Sequence, residues 1–549
     1  MAVNKVVLGD RTLIDLSYDT ATEEDVLKGK YFHRADGEMV EGSREDSGGS
    51  GGGGGEGVLV EKEVNFYDYD GTLLYSYDFA GVQAMNELPE APTHEGLTFT
   101  GWNWTLEQIK RQDGEVDVGA VYITDDGKTR LYISIETPMQ KNVTIQLSKT
   151  PSSTDKPWVI NWGDGTGDEE VMAPSDSYTN PTAKYTHAYE ELGEYVITLA
   201  PYLLSISNSA EMSLGHKSYN IFGNSGNGML NGILRKVELG KKVTLNPCCF
   251  YYCRKLQTVV VGNEAYTTNP DNSTAYPFGY CQSLKSIVIS TEMGSHSLEK
   301  YTFFNDNGLE TISLPPTGSL FGDYAFNGCT SLRKLTIPYH STNFNRYCLY
   351  NTGIKKLTLP SKARYVDSYA FDNNNQLEDF IIKEGATAGS TWNCCAKNAY
   401  KLKSFTVPNG VTALNSNAFE NCYNLESVHL PEGLTSIGSS AFVNCESLHA
   451  IDIPESVTTI NSKAFQYCRT LYSLNIPSGV TTISAQTFEY CQGLAYVDFS
   501  KHTAVPTLSN TNAFSYVYSG LQIRVPAALY DEWIAATNWS SYKSKIVAV

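Results

Sequence analysis

Ser440-Ala441-Phe442-Val443-Asn444-Cys445-Glu446-Ser447-Leu448-His449-Ala450-Ile451-Asp452-Ile453-Pro454 is one unit of a run that repeats on both sides of itself. The phenylalanine recurs as Phe419, Phe442, Phe465 and Phe488, at 23 residues each time. Three residues after each stands a cysteine (Cys422, Cys445, Cys468, Cys491), and six residues after each a leucine (Leu425, Leu448, Leu471, Leu494). A fixed period in the low twenties is the signature of a solenoid. Such a fold has no single enclosed core and offers a long repetitive surface, suited to binding rather than catalysis.

Within the unit, Ala441-Phe442-x-x-Cys445-x-x-Leu448 reads as a turn leading into a strand, Leu448-x-x-Ile451-x-Ile453, which Pro454 ends. Val457 and Ile460 then point inward before the next Ala-Phe. One-sided apolar spacing leaves a unit unstable alone and stable when stacked. Working outward, twelve units register on Phe250, Phe278, Phe303, Phe326, Leu349, Phe371, Ala396, Phe419, Phe442, Phe465, Phe488 and Phe514. This pattern resembles the BspA-like leucine-rich repeats, and the resemblance spans residues 233–519. Residues 520–549, with Leu521 to Pro526 and a helix around Ala528–Thr537, look like the C-terminal cap that covers the last coil.

Upstream, residues 141–204 resemble a PKD domain, a small immunoglobulin-like sandwich. The likeness rests on Trp162-Gly163-Asp164-Gly165-Thr166, Thr186-His187-Ala188-Tyr189 and Gly193 to Leu199. It implies that Trp162, Asp164 and His187 tie a turn rather than catalyse. Residues 58–140 carry a hairpin signal around Asp70-Gly71 and a short helix from Leu106 to Arg111. Their Glu95-Gly96-Leu97-Thr98-Phe99-Thr100-Gly101-Trp102 resembles the internalin-type B repeat, a β-grasp-like module. Residues 205–232 are transitional, and 47–57 are a glycine-rich linker. In residues 1–46, VLGDRTLIDL (7–16) and DVLKGKYFHRADGEMVEG (25–42) resemble the N-terminal segments of phage and prophage tail proteins. Thr20 or Thr22 is expected to cap a helix through Leu27, and Ala35-Asp36-Gly37-Glu38 reads as a hairpin turn. The expected fold class is multidomain and mainly β: a β-grasp-like module and an immunoglobulin-like (PKD) sandwich, followed by a leucine-rich-repeat solenoid.

The net charge of −19 is uneven. Residues 1–204 hold 15 Lys+Arg against 36 Asp+Glu, and residues 205–549 hold 26 against 24. No basic face is available for phosphate, so nucleic acid is not an expected partner. No stretch approaches the ~20 apolar residues of a membrane span. The first residues lack a signal-peptide pattern. All twelve cysteines lie between Cys248 and Cys491, without metal-ligand spacing, and read as small buried stacking residues. No nucleophile elbow, phosphate loop or metal-binding His pair occurs, so neither an enzyme nor a cofactor is expected.

Two surfaces are candidates for receptor binding. The first is the outward face of the sheet: Lys334, Thr336, Lys356, Thr358, Ser404, Thr406, Ser427, His429, Asp452, Ser473, Asn475, Tyr496 and Asp498. The competing reading is an ordinary solvated sheet. The second is a tyrosine row two residues after the repeat aromatic: Tyr252, Tyr280, Tyr467 and Tyr490. The competing reading is rings packed over neighbouring rungs. Together with the tail-like first residues, these features suggest a virion tail protein. Its N-terminal segment would meet tail or baseplate proteins, and its solenoid would attach the particle to a host surface glycan or protein. Such a protein is assembled in the host cytoplasm and acts outside the cell, as a homotrimer or hexamer. The alternative is a bacterial cell-surface adhesin with the same modules, and a third reading is a glycan-active enzyme with binding modules.

Overall fold

The computed structural model describes residues 5–8, 11–15, 31–33, 39–41, 63–112, 114–148, 158–171, 182–201, 212–214, 220–222, 228–241, 243–262, 265–267, 277–290, 298–317, 320–367, 369–383 and 396–549. The chain divides into two units, residues 1–60 and 61–549. In the first, β1 (Lys5–Leu8) pairs antiparallel with β2 (Arg11–Asp15), and β3 (Tyr31–His33) with β4 (Met39–Glu41). The helix expected up to Leu27, the turn at 35–38 and the linker at 47–57 lie outside the described residues.

The second unit opens with β5 (Glu63–Tyr67), β6 (Leu73–Asp78), α1 (Phe79–Ala84), β7 (Leu97–Trp102), α2 (Leu106–Arg111) and β8 (Val116–Thr124). The sheet order is β6-β5-β8-β7, with β5 and β8 parallel at its centre. Asp78 caps α1 by accepting from the Gly81 N–H, and Thr105 with Gln108 forms a capping box on α2. Val64, Phe66, Val82, Trp104, Ile109, Val116 and Val118 form the core between sheet and helices. Every residue of β8 is buried, on both faces.

Next come β9 (Thr129–Ile135), β10 (Asn142–Ser148), β11 (Trp158–Asn161), β12 (Asp168–Val171), β13 (Thr182–Ala188) and β14 (Gly193–Pro201). They form two layers, and neither layer closes on itself. β9 pairs antiparallel with β16 (Leu234–Glu238), which pairs parallel with β18 (Thr258–Val260). β10 pairs antiparallel with β15 (Met212–Leu214), which runs parallel to β17 (Val243–Leu245), itself parallel to β19 (Ala265–Thr267). Both sheets therefore run straight into the two ladders of the solenoid. One buried apolar core extends from Leu131 to Ile546. Strands β9 to β14 thus cap the first coil. Without that pairing the first coil would expose both its core and its backbone edges.

Trp162, Asp164 and His187 stay within this cap. His187 Nε2 lies 2.6 Å from Asp164 Oδ2, and the Trp162 ring stacks on His187 at 5.0 Å. Burial pushes the Asp164 carboxyl up, but hydrogen bonds from Thr166 and His187 outweigh it and hold it at about 2. The arrangement pins the 161–168 turn.

The repeats form an LRR-type β-solenoid of about twelve coils. One ladder of parallel strands aligns Ser404 with Ser427 and Ser473 with Tyr496. A second aligns Leu414, Ile437, Ile460 and Ile483. The third side is the phenylalanine turn, where backbone bonds also run from coil to coil: Phe419 N to Ala441 O (2.7 Å) and Phe442 N to Ala464 O (2.8 Å). Inside, Phe419, Phe442, Phe465 and Phe488 stack at 5.3–5.7 Å. α3 (Tyr530–Ala535) and the 3-10 turn that follows it (Trp539–Lys545) close the far end and bring the fully buried Trp533 and Trp539 against Phe499.

The cysteines do more than fill space. Cys445 Sγ donates to Phe419 O at 3.2 Å, Cys468 to Phe442 O at 3.2 Å and Cys491 to Phe465 O at 3.1 Å. Each thiol thus ties its turn to the carbonyl of the preceding one, a role no purely apolar residue of that size could take. Burial pushes all three thiols far above the ordinary cysteine value. Thiolate is the reactive form, so the ten described cysteines are expected to resist iodoacetamide in the native chain and to alkylate on unfolding. Peptide mass mapping checks this, and rapid native labelling of Cys445 or Cys468 would refute it.

Candidate functional site

The sheet face is divided between two environments. Over its N-terminal coils lies the module of residues 63–124. Asn103 Nδ2 donates to Ile289 O (3.1 Å) and Ser313 Oγ (3.0 Å), and Trp104 Nε1 to Leu314 O (2.7 Å). Gln112 bonds Ile337 O and the Tyr339 N–H. Lys334 Nζ lies 2.9 Å from Asp117 Oδ1 and 3.5 Å from Glu115. Thr336 Oγ1 donates to Asp117 Oδ2 at 2.8 Å, and Lys356 Nζ meets Glu115 at 2.6 Å. Burial opposes the Lys334 charge, but Asp117 and Glu115 outweigh it and hold its ammonium above the usual lysine value.

This corrects the expected site. Lys334, Thr336 and Lys356 do point outward from the sheet, but they are engaged by the chain's own module. Thr336 is only 8% exposed. Thr358 is half-buried beside them, against the loop of Gln112, Gly114 and Glu115.

The C-terminal coils are open. Ser404, Thr406, Ser427, His429, Asp452 and Asn475 are exposed, and Ser473, Tyr496 and Asp498 half-buried. They align in two columns, Ser404–Ser427–Ala450–Ser473–Tyr496–Gln522 and Thr406–His429–Asp452–Asn475–Asp498–Arg524. The Arg524 guanidinium sits 3.8 Å above the Tyr496 ring, and Tyr472, 61% exposed, approaches that ring edge-on at 6.2 Å. Neither neighbour lies at an outward strand position of the repeat array as the sequence delimits it. Tyr472 stands just before its strand, and Arg524 belongs to the segment taken as the cap.

The tyrosine row is a stack. Tyr252 and Tyr280 lie 4.3 Å apart, Tyr467 and Tyr490 4.5 Å, and Tyr490 and Tyr516 4.4 Å, each pair nearly parallel. Their backbones are left-handed, with φ between 57° and 64°. Stacking offsets that conformational cost. Within each stack the rings occupy one another's faces and present edges and hydroxyls. Between the two stacks the same position is held first by Asn305, Gly328 and Asn351 and then by Asn373, Asn398, Asn421 and Asn444, the last four linked side chain to side chain at 2.5–2.7 Å. A second row, Tyr301–Tyr324–Tyr347–Tyr369, stacks at 4.9–5.0 Å. It lies two residues before the repeat aromatic, so a search at one offset misses it. The same period read at both offsets would have found it.

Among the described residues no cluster of His, Cys, Asp and Glu could hold a metal ion. No described helix is long and apolar enough to cross a membrane.

A family model for the BspA type leucine rich repeat region, in six copies, matches residues 226–297, 296–396 and 391–519. The chain belongs to the BspA-type leucine-rich repeat family. Among solved structures, a leucine-rich repeat protein from Bacteroides ovatus is 17% identical, covering 59% of this chain and 97% of its own, with a TM-score of 0.31. A leucine rich cell surface protein from Faecalibacterium prausnitzii is 21% identical, covering 59% and 92%, with a TM-score of 0.34. The pneumococcal vaccine antigen PcpA is 16% identical, covering 61% and 83%, with a TM-score of 0.31. No curated protein matches. The BspA-type match begins at residue 226, so it bears on neither the tail-like, the B-repeat-like nor the PKD-like segment.

Proposed function

We propose that this chain is an adhesin-type recognition protein that binds a partner at a cell surface through the open C-terminal half of its solenoid sheet. One observation carries the reading. The same sheet is sealed over its N-terminal coils by the chain's own module and left open from Ser404 to Arg524, with polar side chains in register. BspA-type membership supports a binding role. The PKD-like sandwich then serves as the N-terminal cap, and the B-repeat-like module as the cover. Virion attachment rests on residues 1–46 alone and draws no support from the repeats.

Beads coated with the full chain are expected to adhere to at least one of a panel of bacterial and epithelial cells. Beads carrying Asn475→Trp, a change at an exposed position, should lose at least 80% of that adherence. Equal adherence by the two would overturn the assignment of the open face. Finding the protein in purified phage particles by mass spectrometry would restore the virion reading.

A further inference from the structure

The covered coils already show how this sheet holds a polypeptide. β8 runs across the ladder rather than along it. Glu115 meets Lys356 and Lys334, and Asp117 meets Lys334 and Thr336. Gly119 sits over Ser313 and Val288, so close that an added Cβ would fall 2.4 Å from Val288 Cγ1. Facing residues of β8, two apart in sequence, thus step from coil to coil. The geometry permits it: facing side chains recur about every 6.6 Å along a strand, and coils lie about 4.8 Å apart, so an oblique strand keeps one facing residue per coil.

The uncovered coils continue that docking surface in the same register, with the charge reversed. Under β8 the outward positions carry Lys334 and Lys356, matched by Glu115 and Asp117. Beyond it the outward columns carry Asp379, Asp452 and Asp498 against Arg524, whose guanidinium is already held over Tyr496. In the flanking column Lys403 and Glu426 offset one another. A second copy of β8 would set Glu115 and Asp117 against these carboxylates, so like charge disfavours another copy of this module as the occupant.

We infer that the uncovered half of the sheet binds an extended segment of a partner polypeptide bearing Lys or Arg at alternate positions, laid obliquely across the coils as β8 is. Asp452 and Asp498 take the cationic heads, and the exposed ring of Tyr472 takes an aliphatic stem. At two residues per coil, the six steps from Asp379 to Gln522 call for about twelve residues. The inference rests on the open face being the recognition surface.

Fluorescence anisotropy with the full chain tests it, using labelled twelve-residue peptides of alternating threonine with lysine and of alternating threonine with glutamate. The lysine peptide should bind at least tenfold more tightly. Asp452→Asn with Asp498→Asn should weaken it at least fivefold. Glu190→Gln with Glu191→Gln, an exposed acidic pair on the sandwich, should leave it unchanged. Equal binding of the two peptides, or an equal loss in both double variants, would overturn the inference, because the attraction would then be that of any acidic chain. If Asn475→Trp abolishes cell adherence but neither peptide binds, the open face stands and the polypeptide partner falls; chitohexaose binding in its place would assign a glycan. If adherence is also untouched, both readings fall.

Discussion

Asp117→Ala should loosen the module from the solenoid and lower the stability of residues 61–549 by about 3 kcal/mol. Asp117 is 5% exposed and satisfies three donors at once: Lys334 Nζ (2.9 Å), Asn65 Nδ2 (3.2 Å) and Thr336 Oγ1 (2.8 Å). Truncation leaves the hydroxyl and the amide without this acceptor, and it leaves the ammonium with only the longer contact to Glu115. The loss stays at the low end of that for broken buried pairs because the Lys334 side chain is 32% exposed. Asp117→Asn retains an acceptor for Thr336 and should lose about half as much. Gly119→Val attacks the same contact sterically, since Val288 Cγ1 and the Ser313 Cβ leave no room for a side chain. Urea midpoints and amide exchange over Val116–Thr124 report the outcome. Wild-type exchange in both Asp117→Ala and Gly119→Val would mean that the module does not rest on these coils, and Lys334, Thr336 and Lys356 would return to the candidate surface.

The sequence made the repeat legible because each coil must bury the same side of the same turn, and burial writes itself as period. It could not show which coils were covered. Ser286, Thr311, Ser313 and Thr336 face the module with the same small polar chemistry that Ser427 and Asn475 show to water. The telling residues lie on the partner. Val116-Asp117-Val118-Gly119-Ala120-Val121 is too apolar for a strand with one wet face, and Gly119 marks a close backbone approach. Val288 is a second sign, an apolar residue at an outward position. The sandwich strands were readable from alternation, yet alternation says nothing about which neighbour a sheet edge finds. So β9 read as the end of the 58–140 module and β10 as the first strand of a separate sandwich, while they pair with β16 and β15. The cysteine column read as stacking, and its hydrogen bonds to the phenylalanine carbonyls emerge only when consecutive coils are placed side by side.

Two buried carboxyls in the phenylalanine turns, one of them in the cysteine column, predict an unusual pH response. Asp306 stands where neighbouring coils have Cys281 and Cys329. It is fully buried, with Oδ1 accepting from the Cys281 N–H at 2.7 Å and Oδ2 without a partner. Asp372, one residue after a repeat phenylalanine, is 3% exposed, with Lys397 and Glu420 as its charged neighbours. Burial pushes the Asp306 carboxyl well above the carboxylate range and raises Asp372 to about 7. A raised carboxyl pKa means that the folded chain holds a proton the unfolded chain has released. The folded state is therefore undisturbed below about pH 4 and loses stability as pH rises toward the folded value. For Asp372, a move from 3.8 to about 7 corresponds to roughly 4 kcal/mol lost above neutrality. Asp372→Asn keeps the shape and removes the titration. It should stabilise the chain by about 2–4 kcal/mol at pH 8, the lower figure allowing for an amide N–H that finds no acceptor, and should bring no gain at pH 4. Asp306→Asn should behave alike, with the larger benefit. Urea unfolding of both variants at pH 4 and pH 8 measures this. Stabilisation that is equal at the two pH values would show that packing, rather than the buried proton, sets the difference, and destabilisation at pH 8 would show that both carboxyls ionise inside the solenoid.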